Sequence, residues 1–324
     1  MSNLIEALLD PWATHEQIIW NLQIVFMGVM VSLCCGLVGC FVVVRRMSLL
    51  GDAVSHGILP GIVIAYLLTG SFSVGPIWAG ACIAGLACGA CIEWLRTKTL
   101  LREDAAMGLT FTSFFALGIV LLSIQIGDVH LDPACFLYGE IGFTPLAPKI
   151  KPFGLTLVNQ SLWNMGWICL ITISTVLVCY RFLLVTSFDQ SLAQSLGMPV
   201  VWIQYGLMLL LALVVVASFE SVGVILVLAM MILPPVSSAF LFQRLPSILI
   251  CCLPLSIFYS VAGLHLAHYM NFPISASMAL AGIVIFLPCC LLGPNGGILT
   301  NNNRLQIRED SLDLQANQAQ KSPR

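Results

Sequence analysis

The sequence has 324 residues, of which 59% are hydrophobic and only 9% are charged, whereas a soluble domain carries roughly 25% charged residues. This composition excludes an ordinary soluble protein and indicates an integral membrane protein. The formal net charge of -2, without any basic face in the sequence, also excludes a nucleic-acid partner.

Long apolar runs predict the membrane spans, because a helix needs about 20 apolar residues to cross the hydrocarbon layer. The pattern predicts an all-α, polytopic membrane helix bundle of about nine spans within residues 17–293. The count becomes eight if one run is re-entrant. The predicted spans are 17–44, 49–69, 74–95, 105–126, 162–185, 201–218, 221–242, 247–268 and 273–292.

Basic residues fall almost entirely on one side of this arrangement. Only Lys149 and Lys151 lie on the other side. The positive-inside rule therefore places the basic side in the cytoplasm, with the N-terminus outside and the C-terminus inside. Residues 1–16 become an external segment, and 294–324 a cytoplasmic polar tail with the composition of a disordered end. The basic side holds Arg45, Arg46, Arg96, Lys98, Arg102, Arg181, Arg244, Arg304, Arg308, Lys321 and Arg324.

Small residues recur at a spacing of four in the first and third spans. Such spacing lets helix backbones approach closely where lipid supplies no hydrophobic drive for association. The pattern predicts two packing seams, at Gly28/Ser32/Gly36 and at Ala81/Gly85/Gly89.

The second span opens with a polar stretch from Arg45 to Gly61. Asp52 and His56 are four residues apart, so one helix face presents a carboxylate oxygen and an imidazole nitrogen to the same point. Ser55 adds a hydroxyl nearby, and Pro60 has no N–H to donate to the carbonyl of His56. Oxygen and nitrogen ligands without a thiolate favour Mn, Fe or Zn over a soft ion such as Cu(I).

Two interpretations of this pair remain open. It is a structural ion pair or helix tether near the cytoplasmic interface, or it is a functional metal site. An ionisable pair inside a span favours function, because burying each charge costs at least about 2.5 kcal/mol.

The one long connection, residues 127–160, lies on the external side. Its apolar part, 131–147, is too short to cross the membrane and predicts an external half-helix. Potential metal contacts stand at alternate positions in this loop, although such a run is more often an ordinary solvated loop. These residues are Asp128, His130 and Asp132.

Residues 187–199 predict a short amphipathic helix at the cytoplasmic surface. Ser187 and Gln190 have capping-box spacing, and Gly197 followed by Pro199 is typical of a helix end. The apolar face of this helix comprises Phe188, Leu192 and Leu196.

A proline pair interrupts the seventh span, within the segment 219–240. Pro234 and Pro235 free backbone carbonyls and bend the helix, as broken helices around transport pathways do. A kinked packing helix with ordinary core methionines is the alternative to an apolar gate. The gate would comprise Met230, Met231, Leu233 and Pro234.

The sequence contains no Gly-Lys dipeptide, and therefore no Gly-x4-Gly-Lys-Ser/Thr phosphate-binding loop. If ATP drives a process here, a separate subunit binds and hydrolyses it. The chain itself is predicted not to be an enzyme.

Three segments together resemble the permease subunits of bacterial zinc, manganese and iron ABC importers, the ABC-3 type metal ion permease family. The resemblance covers residues 20–292. Pro235, where the family usually has a small residue, and Glu220, where an uncharged polar residue is common, depart from the pattern, and the polar tail is longer than usual. The three segments are Arg45 to Gly61, Thr186 to Pro199, and Ser221 to Pro234.

The resemblance implies a permease of the type II importer fold, paired as a homodimer or with a paralogous permease. It implies an external metal-binding solute-binding protein, and it makes Asp52 and His56 the permease's own metal-coordinating pair. The apolar residues before Pro234 belong to a gate. A cytoplasmic ABC ATPase subunit docks on the segment that contains Phe188, Asp189, Leu192, Leu196 and Gly197.

The sequence therefore predicts the transmembrane subunit of an ATP-driven importer of divalent Mn, Zn or Fe in a bacterial cytoplasmic (inner) membrane. The metal is transported cargo, and no permanently bound cofactor is expected. An ion-coupled secondary metal transporter, with Asp52 as coupling site, is the first rival, although the paired inverted repeats common in such carriers are not visible. An intramembrane metalloenzyme is the second, but the sequence has no His-Glu-x-x-His motif.

Overall fold

The computed structural model describes residues 12, 14–45, 47, 49–70, 74–125, 141–150, 158–295, 297 and 299. The fold within these ranges is almost entirely helical, as predicted. The helices are α1 (His15–Val44), α2 (Leu50–Gly57), α3 (Leu59–Thr69), α4 (Val74–Lys98), α5 (Glu103–Gln125), α6 (Gln160–Val178), α7 (Tyr180–Phe188), α8 (Gln190–Ser195), α9 (Val200–Val222), α10 (Val224–Leu241), α11 (Leu245–Met270) and α12 (Ile274–Leu292).

Nine segments of the described chain are long and apolar enough to cross a membrane, which confirms the predicted number. The second of these spans is not one helix, because α2 ends at Gly57 and α3 begins at Leu59. Pro60 occupies the first turn of α3, where its missing N–H is tolerated. The break therefore separates the polar part of the span from its apolar part.

Helix α1 is the centre of the bundle, with 72% of its most apolar window buried. It packs against α6, α9, α10 and α11. Ser32 Oγ donates a hydrogen bond to Ser256 Oγ of α11 over 3.0 Å, and Gly36 faces Pro234 of α10. The predicted seam of small residues on α1 is confirmed.

The second seam joins α4 to α9, where Gly85 lies against Ala212 and Gly89 lies against Met208. On another face of α4, Gly80 meets the backbone of Gly61 in α3. Close backbone approach at glycines thus fixes α3 and α4 side by side, because any side chain at these positions would collide.

Between α5 and α6, the described residues contain a 3-10 helix, Ile141–Leu146, and an antiparallel pair of two-residue strands, β1 (Lys149–Ile150) and β2 (Val158–Asn159). The strand pair was not predicted. The 3-10 helix occupies the last part of the predicted half-helix at 131–147, whose first part lies outside the described residues, as do Asp128, His130 and Asp132. Residues 1–11 and 300–324 are also outside.

Candidate functional site

Asp52 and His56 lie on one face of the short helix α2, as their spacing predicts. Asp52 Oδ1 and His56 Nε2 are 3.4 Å apart, and the side chains are 35% and 32% exposed. An i, i+4 pair of this kind has both polar ends on the same side of the helix. The two ligand atoms are therefore adjacent and accessible.

Two aromatic rings of α5 flank the imidazole of His56. The ring centroids of His56 and Phe115 are 5.3 Å apart in an edge-on arrangement, and Phe111 lies at 5.9 Å with tilted planes. Aromatic pairs of this geometry are stabilising and restrict the ring. The imidazole is thus held between α5 and the carboxylate of Asp52.

Ser55 does not contribute a hydroxyl to this pair, contrary to the sequence prediction. Its Oγ is buried and donates to the backbone carbonyl of Gly51 over 2.7 Å. Near the end of α2, the N–H groups of Gly61 and Ile62 both donate to the carbonyl of Ile58. Because Pro60 has no N–H, the carbonyl of His56 receives no helical hydrogen bond from that position.

The face of α2 opposite the pair is tightly packed. The terminal methyl group of Met231 fills the space beside Gly51, where a Cβ would overlap it. Cys88 of α4 approaches the carbonyl of Ala53, with a sulfur–oxygen distance of 3.7 Å. Sequence reasoning missed that Cys88 and Cys91 have Cys-x-x-Cys spacing, and the structure places the first of them in this packing.

The described residues of the chain do not contain a complete set of metal ligands around this pair. Within the described residues, no group of three or more His, Cys, Asp or Glu side chains converges on one point. The Asp52–His56 pair offers two ligands of suitable type, whereas protein sites for Zn, Mn or Fe generally use at least three. A metal ion at this pair would need further ligands from outside the described residues.

The predicted gate residues lie in α10, which continues through both prolines. Met230 and Met231 are fully buried, Pro234 packs on Gly36, and Leu233 packs on Gly282 of α12. Since Pro235 cannot donate to the carbonyl of Met231, that carbonyl is available to lie against Gly39 of α1, as it does. These residues form the contact between α10 and its neighbours within this chain.

The predicted surface helix begins two residues later than its sequence pattern indicated. Ser187 lies inside α7, and the N-cap of α8 is Asp189, whose carboxylate accepts the N–H of Leu192 over 2.9 Å. The capping-box assignment of Ser187 and Gln190 was therefore wrong. Asp189 satisfies the cap because its extended backbone turns its side chain toward the first free N–H groups.

The predicted end of this helix is confirmed. Gly197 adopts a positive φ of 73°, a conformation that is inexpensive only for glycine. Its N–H donates to Gln194, and that of Met198 donates to Ala193, as in a Schellman motif. The apolar face remains uncovered in this chain, because Phe188, Leu192 and Leu196 are 65%, 49% and 59% exposed.

Arg45, at the end of α1, contacts the same segment. Its Nε donates to Ser187 Oγ over 3.1 Å, and its Nη2 donates to Thr186 Oγ1 over 3.0 Å. Burial, together with the nearby charge of Arg96, lowers the pKa of Arg45, while Glu93 opposes this shift.

A second polar group lies at the same end of the bundle. Arg96 forms ion pairs with Glu93 and Glu103, over 3.2 and 2.6 Å, and Gln204 of α9 donates to Glu93 over 2.7 Å. These contacts tie α4, α5 and α9 together. The basic connection between α4 and α5 thus lies at the same end as the start of α9.

Comparisons with known proteins cover nearly the whole described bundle. The model of the ABC 3 transport family matches residues 19–293. The chain is 38% identical over 281 residues to the manganese transport system membrane protein MntD of Bacillus subtilis (strain 168), covering 87% of this chain and 95% of the relative. It is 37% identical over 294 residues to the zinc transport system membrane protein TroD of Treponema pallidum (strain Nichols), covering 91% and 79%.

A solved structure has the same helical arrangement. PsaBC from Streptococcus pneumoniae, in complex with Fab, superposes with a TM-score of 0.73 at 28% identity. The match covers 92% of this chain and 99% of the other. The likeness therefore extends over the whole bundle.

Proposed function

Because the chain belongs to the ABC 3 transport family, we propose that it is the transmembrane permease subunit of an ATP-driven importer of a divalent transition metal. The relatives named as manganese and zinc transport proteins support Mn or Zn as the cargo. Fe is a third candidate, since the same oxygen and nitrogen ligands suit it. The observation that carries the proposal is the accessible Asp52–His56 pair inside a membrane span.

Asp52 and His56 bind the metal ion during its passage. The carboxylate supplies a hard oxygen ligand and the imidazole a borderline nitrogen ligand, which together suit divalent first-row metals. The metal would bind with His56 neutral and Asp52 ionised, because protons compete for the same atoms. The flanking rings of Phe111 and Phe115 limit the imidazole to few orientations.

A second permease chain completes the coordination. The described residues of one chain offer two ligands on an exposed face, and a two-fold axis beside α2 would bring two such pairs together. The partner is an identical copy or a paralogous permease. The same pairing would shield the ion from lipid.

A cytoplasmic ABC ATPase subunit supplies the energy. It docks on the surface formed by α7 and α8, where three large apolar side chains are exposed next to a capped helix end. Exposed apolar side chains grouped in this way are typical of protein interfaces. The docking residues are Phe188, Asp189, Leu192, Leu196 and Gly197.

This assignment sets the orientation in the bacterial inner membrane. The arginine-rich end, with Arg45 and Arg96, faces the cytoplasm, in keeping with the positive-inside rule. The N-terminus is then external and the C-terminal tail, 294–324, is cytoplasmic. An external solute-binding protein delivers the metal at the opposite end, near the loop that contains Asp128, His130 and Asp132.

Transport proceeds by alternating access. Docking of the loaded solute-binding protein and ATP binding by the partner subunits move the helices, while Asp52 and His56 hold the ion between the two openings. The apolar gate belongs to α10, where the packing of Met230, Met231, Leu233 and Pro234 links this helix to α1, α2 and α12. Family membership favours this mechanism over an ion-coupled secondary transporter.

The test uses the permease reconstituted with its ATPase and solute-binding protein. Asp52→Ala and His56→Ala are each expected to abolish Mn²⁺ and Zn²⁺ accumulation, because the loss of either ligand opens the coordination shell. Both variants should still insert and co-purify with the ATPase. Ser55→Ala is the matched control and should transport normally, since its hydroxyl bonds only to its own helix. Accumulation close to wild type in both ligand variants would contradict the site.

A further inference from the structure

Arg45 is the direct contact between the surface proposed for ATPase docking and the end of α1. Its guanidinium donates to two consecutive hydroxyls, those of Thr186 and Ser187. The exposed Phe188 and the cap residue Asp189 follow immediately in the chain. Any displacement of α8 by a partner therefore acts on the acceptors of Arg45.

Immediately after Arg45 in the chain, backbone hydrogen bonds of Met47 join the end of α1 to the start of α2. The N–H of Met47 donates to the carbonyl of Val42 in α1 over 3.1 Å, and the carbonyl of Met47 accepts the N–H of Leu50 over 2.9 Å. The side chain of Met47 is buried. The end of α1 and the start of α2 are thus joined through one buried residue, and Asp52 lies in the first turn of α2.

The guanidinium of Arg45 is held by neutral hydroxyl groups and by no carboxylate of the described residues. Within the part of the chain that the structure describes, the ion pairs are Asp52–His56, Arg96–Glu93 and Arg96–Glu103, and Arg45 is in none of them. Hydroxyl groups hold Arg45 instead. A guanidinium held by neutral acceptors can exchange partners without separating opposite charges, whereas a partly buried ion pair cannot.

The acceptors themselves are oriented for this contact. The hydroxyl of Thr186 donates its proton to the carbonyl of Phe182 over 2.8 Å, so its oxygen lone pairs are left to accept from Arg45. This back-bond fixes the rotamer of a β-branched side chain that is 1% exposed. The contact is therefore specific to the position of α7.

We propose that Arg45 is a positioning residue that transmits movement of the α7–α8 surface to the Asp52–His56 pair. This inference rests on the proposed function, because it needs an ATPase on that surface and a metal at that pair. The inference is based on the position of one charged side chain. Arg45 donates hydrogen bonds to Thr186 and Ser187 of α7, and it lies where α1 is hydrogen-bonded to the start of α2.

The experiment compares coupling rather than assembly, in proteoliposomes that contain the permease, its ATPase and its solute-binding protein. Arg45→Met should co-purify with the ATPase and retain basal ATP hydrolysis. The amount of Mn²⁺ or Zn²⁺ transported per ATP should fall at least about tenfold, since the donors that link the two sites are lost. Arg45→Lys, which keeps a charged donor, should recover a measurable part of the coupling.

The acceptor side gives an independent variant. Thr186→Val combined with Ser187→Ala should lower the metal transported per ATP as Arg45→Met does. Adding Arg45→Met to this double variant should lower the ratio little further, because both changes remove the same contact. Arg181→Met is the matched control, since it removes an exposed arginine of α7, and it should couple normally.

Each outcome distinguishes the inference from the proposed function. If Arg45→Met does not assemble with the ATPase, the metal-to-ATP ratios of the Thr186/Ser187 variant and of Arg45→Lys test the inference in its place. If the wild type transports metal and the Arg45 and Thr186/Ser187 variants have normal metal-to-ATP ratios, the inference is wrong and the proposed function is unaffected. If no ATPase co-purifies with the wild type, or if Asp52→Ala transports normally, the proposed function fails instead.

Discussion

Asp52 and His56 illustrate how a short helix exposes polar atoms in an apolar bundle. Their side chains are about one-third exposed, whereas their neighbours Ala53 and Val54 are fully buried. Helix α2 therefore turns one face toward the protein and the other outward. Ionisable side chains on an outward face would be costly to expose to lipid, which favours a face covered by a partner chain.

Gly51 is the residue whose packing most directly links α2 to α10. A methyl group at this position would overlap the terminal methyl of Met231, so Gly51→Ala is expected to displace that flexible side chain. Overpacking of this kind costs typically about 1–3 kcal/mol, and the flexibility of methionine favours the lower end. Thermal unfolding of the purified protein in detergent should show a lower midpoint, together with reduced metal uptake.

A compensating substitution tests the cause. In the double variant Gly51→Ala/Met231→Ala the overlap is gone, because the new methyl group lies where the side chain of Met231 had been. The double variant should therefore be thermally more stable than Met231→Ala alone. If the effects of the two substitutions are simply additive, the contact between them is not the source of the loss.

The break between α7 and α8 shapes the proposed docking surface. Asp189 ends one helix and caps the next, and Gly197 closes the second helix with a left-handed turn. Helix α8 lies between these two helix ends, and Ala193 is its buried residue. Its larger apolar side chains, Leu192 and, at the C-cap, Leu196, are exposed.

Replacing either Phe188 or Leu192 with Asp should disrupt ATPase binding, because a carboxylate then enters an apolar interface. Co-purification of the ATPase and metal uptake should both fall, while insertion of the permease is unchanged. Pull-down from detergent-solubilised membranes measures the assembly.

Gln194→Asp adds the same charge to an exposed polar position of α8. It should leave assembly close to wild type. Unchanged complex formation and uptake in the Phe188 and Leu192 variants would argue against docking on this helix.

The bundle as a whole is arranged around α1, which packs against α6, α9, α10 and α11 from the later part of the chain. Helix α2, which bears Asp52 and His56, packs mainly against α4, α5 and α9. Its outward face therefore lies at the edge of one chain. The proposed metal site at this edge would be completed by a second permease chain, because the described residues of one chain bring together only the pair Asp52–His56.

The metal stoichiometry of the assembled permease follows from this arrangement. The purified complex, equilibrated with Mn²⁺ or Zn²⁺, is expected to bind one ion per two permease chains at the Asp52–His56 sites. Elemental analysis gives this ratio, with Asp52→Ala complexes as the background. One ion per chain at these sites would contradict a shared site.

The sequence by itself determined the local features. Nine spans follow from hydrophobic length, and the shared face of Asp52 and His56 follows from helix periodicity. The turn at Gly197 follows from backbone sterics. Each of these depends on interactions within a few residues or on the membrane as solvent, so they can be read from composition and spacing.

Only the tertiary structure decided the contacts between distant parts of the chain. Ser187 matched a capping pattern, yet it accepts a hydrogen bond from Arg45, 142 positions away. The methyl group of Met231 packs on Gly51 of another helix, a contact that no local pattern predicted. Which of several local possibilities a side chain adopts depends on the neighbours that packing brings to it, and a single sequence does not contain those distances.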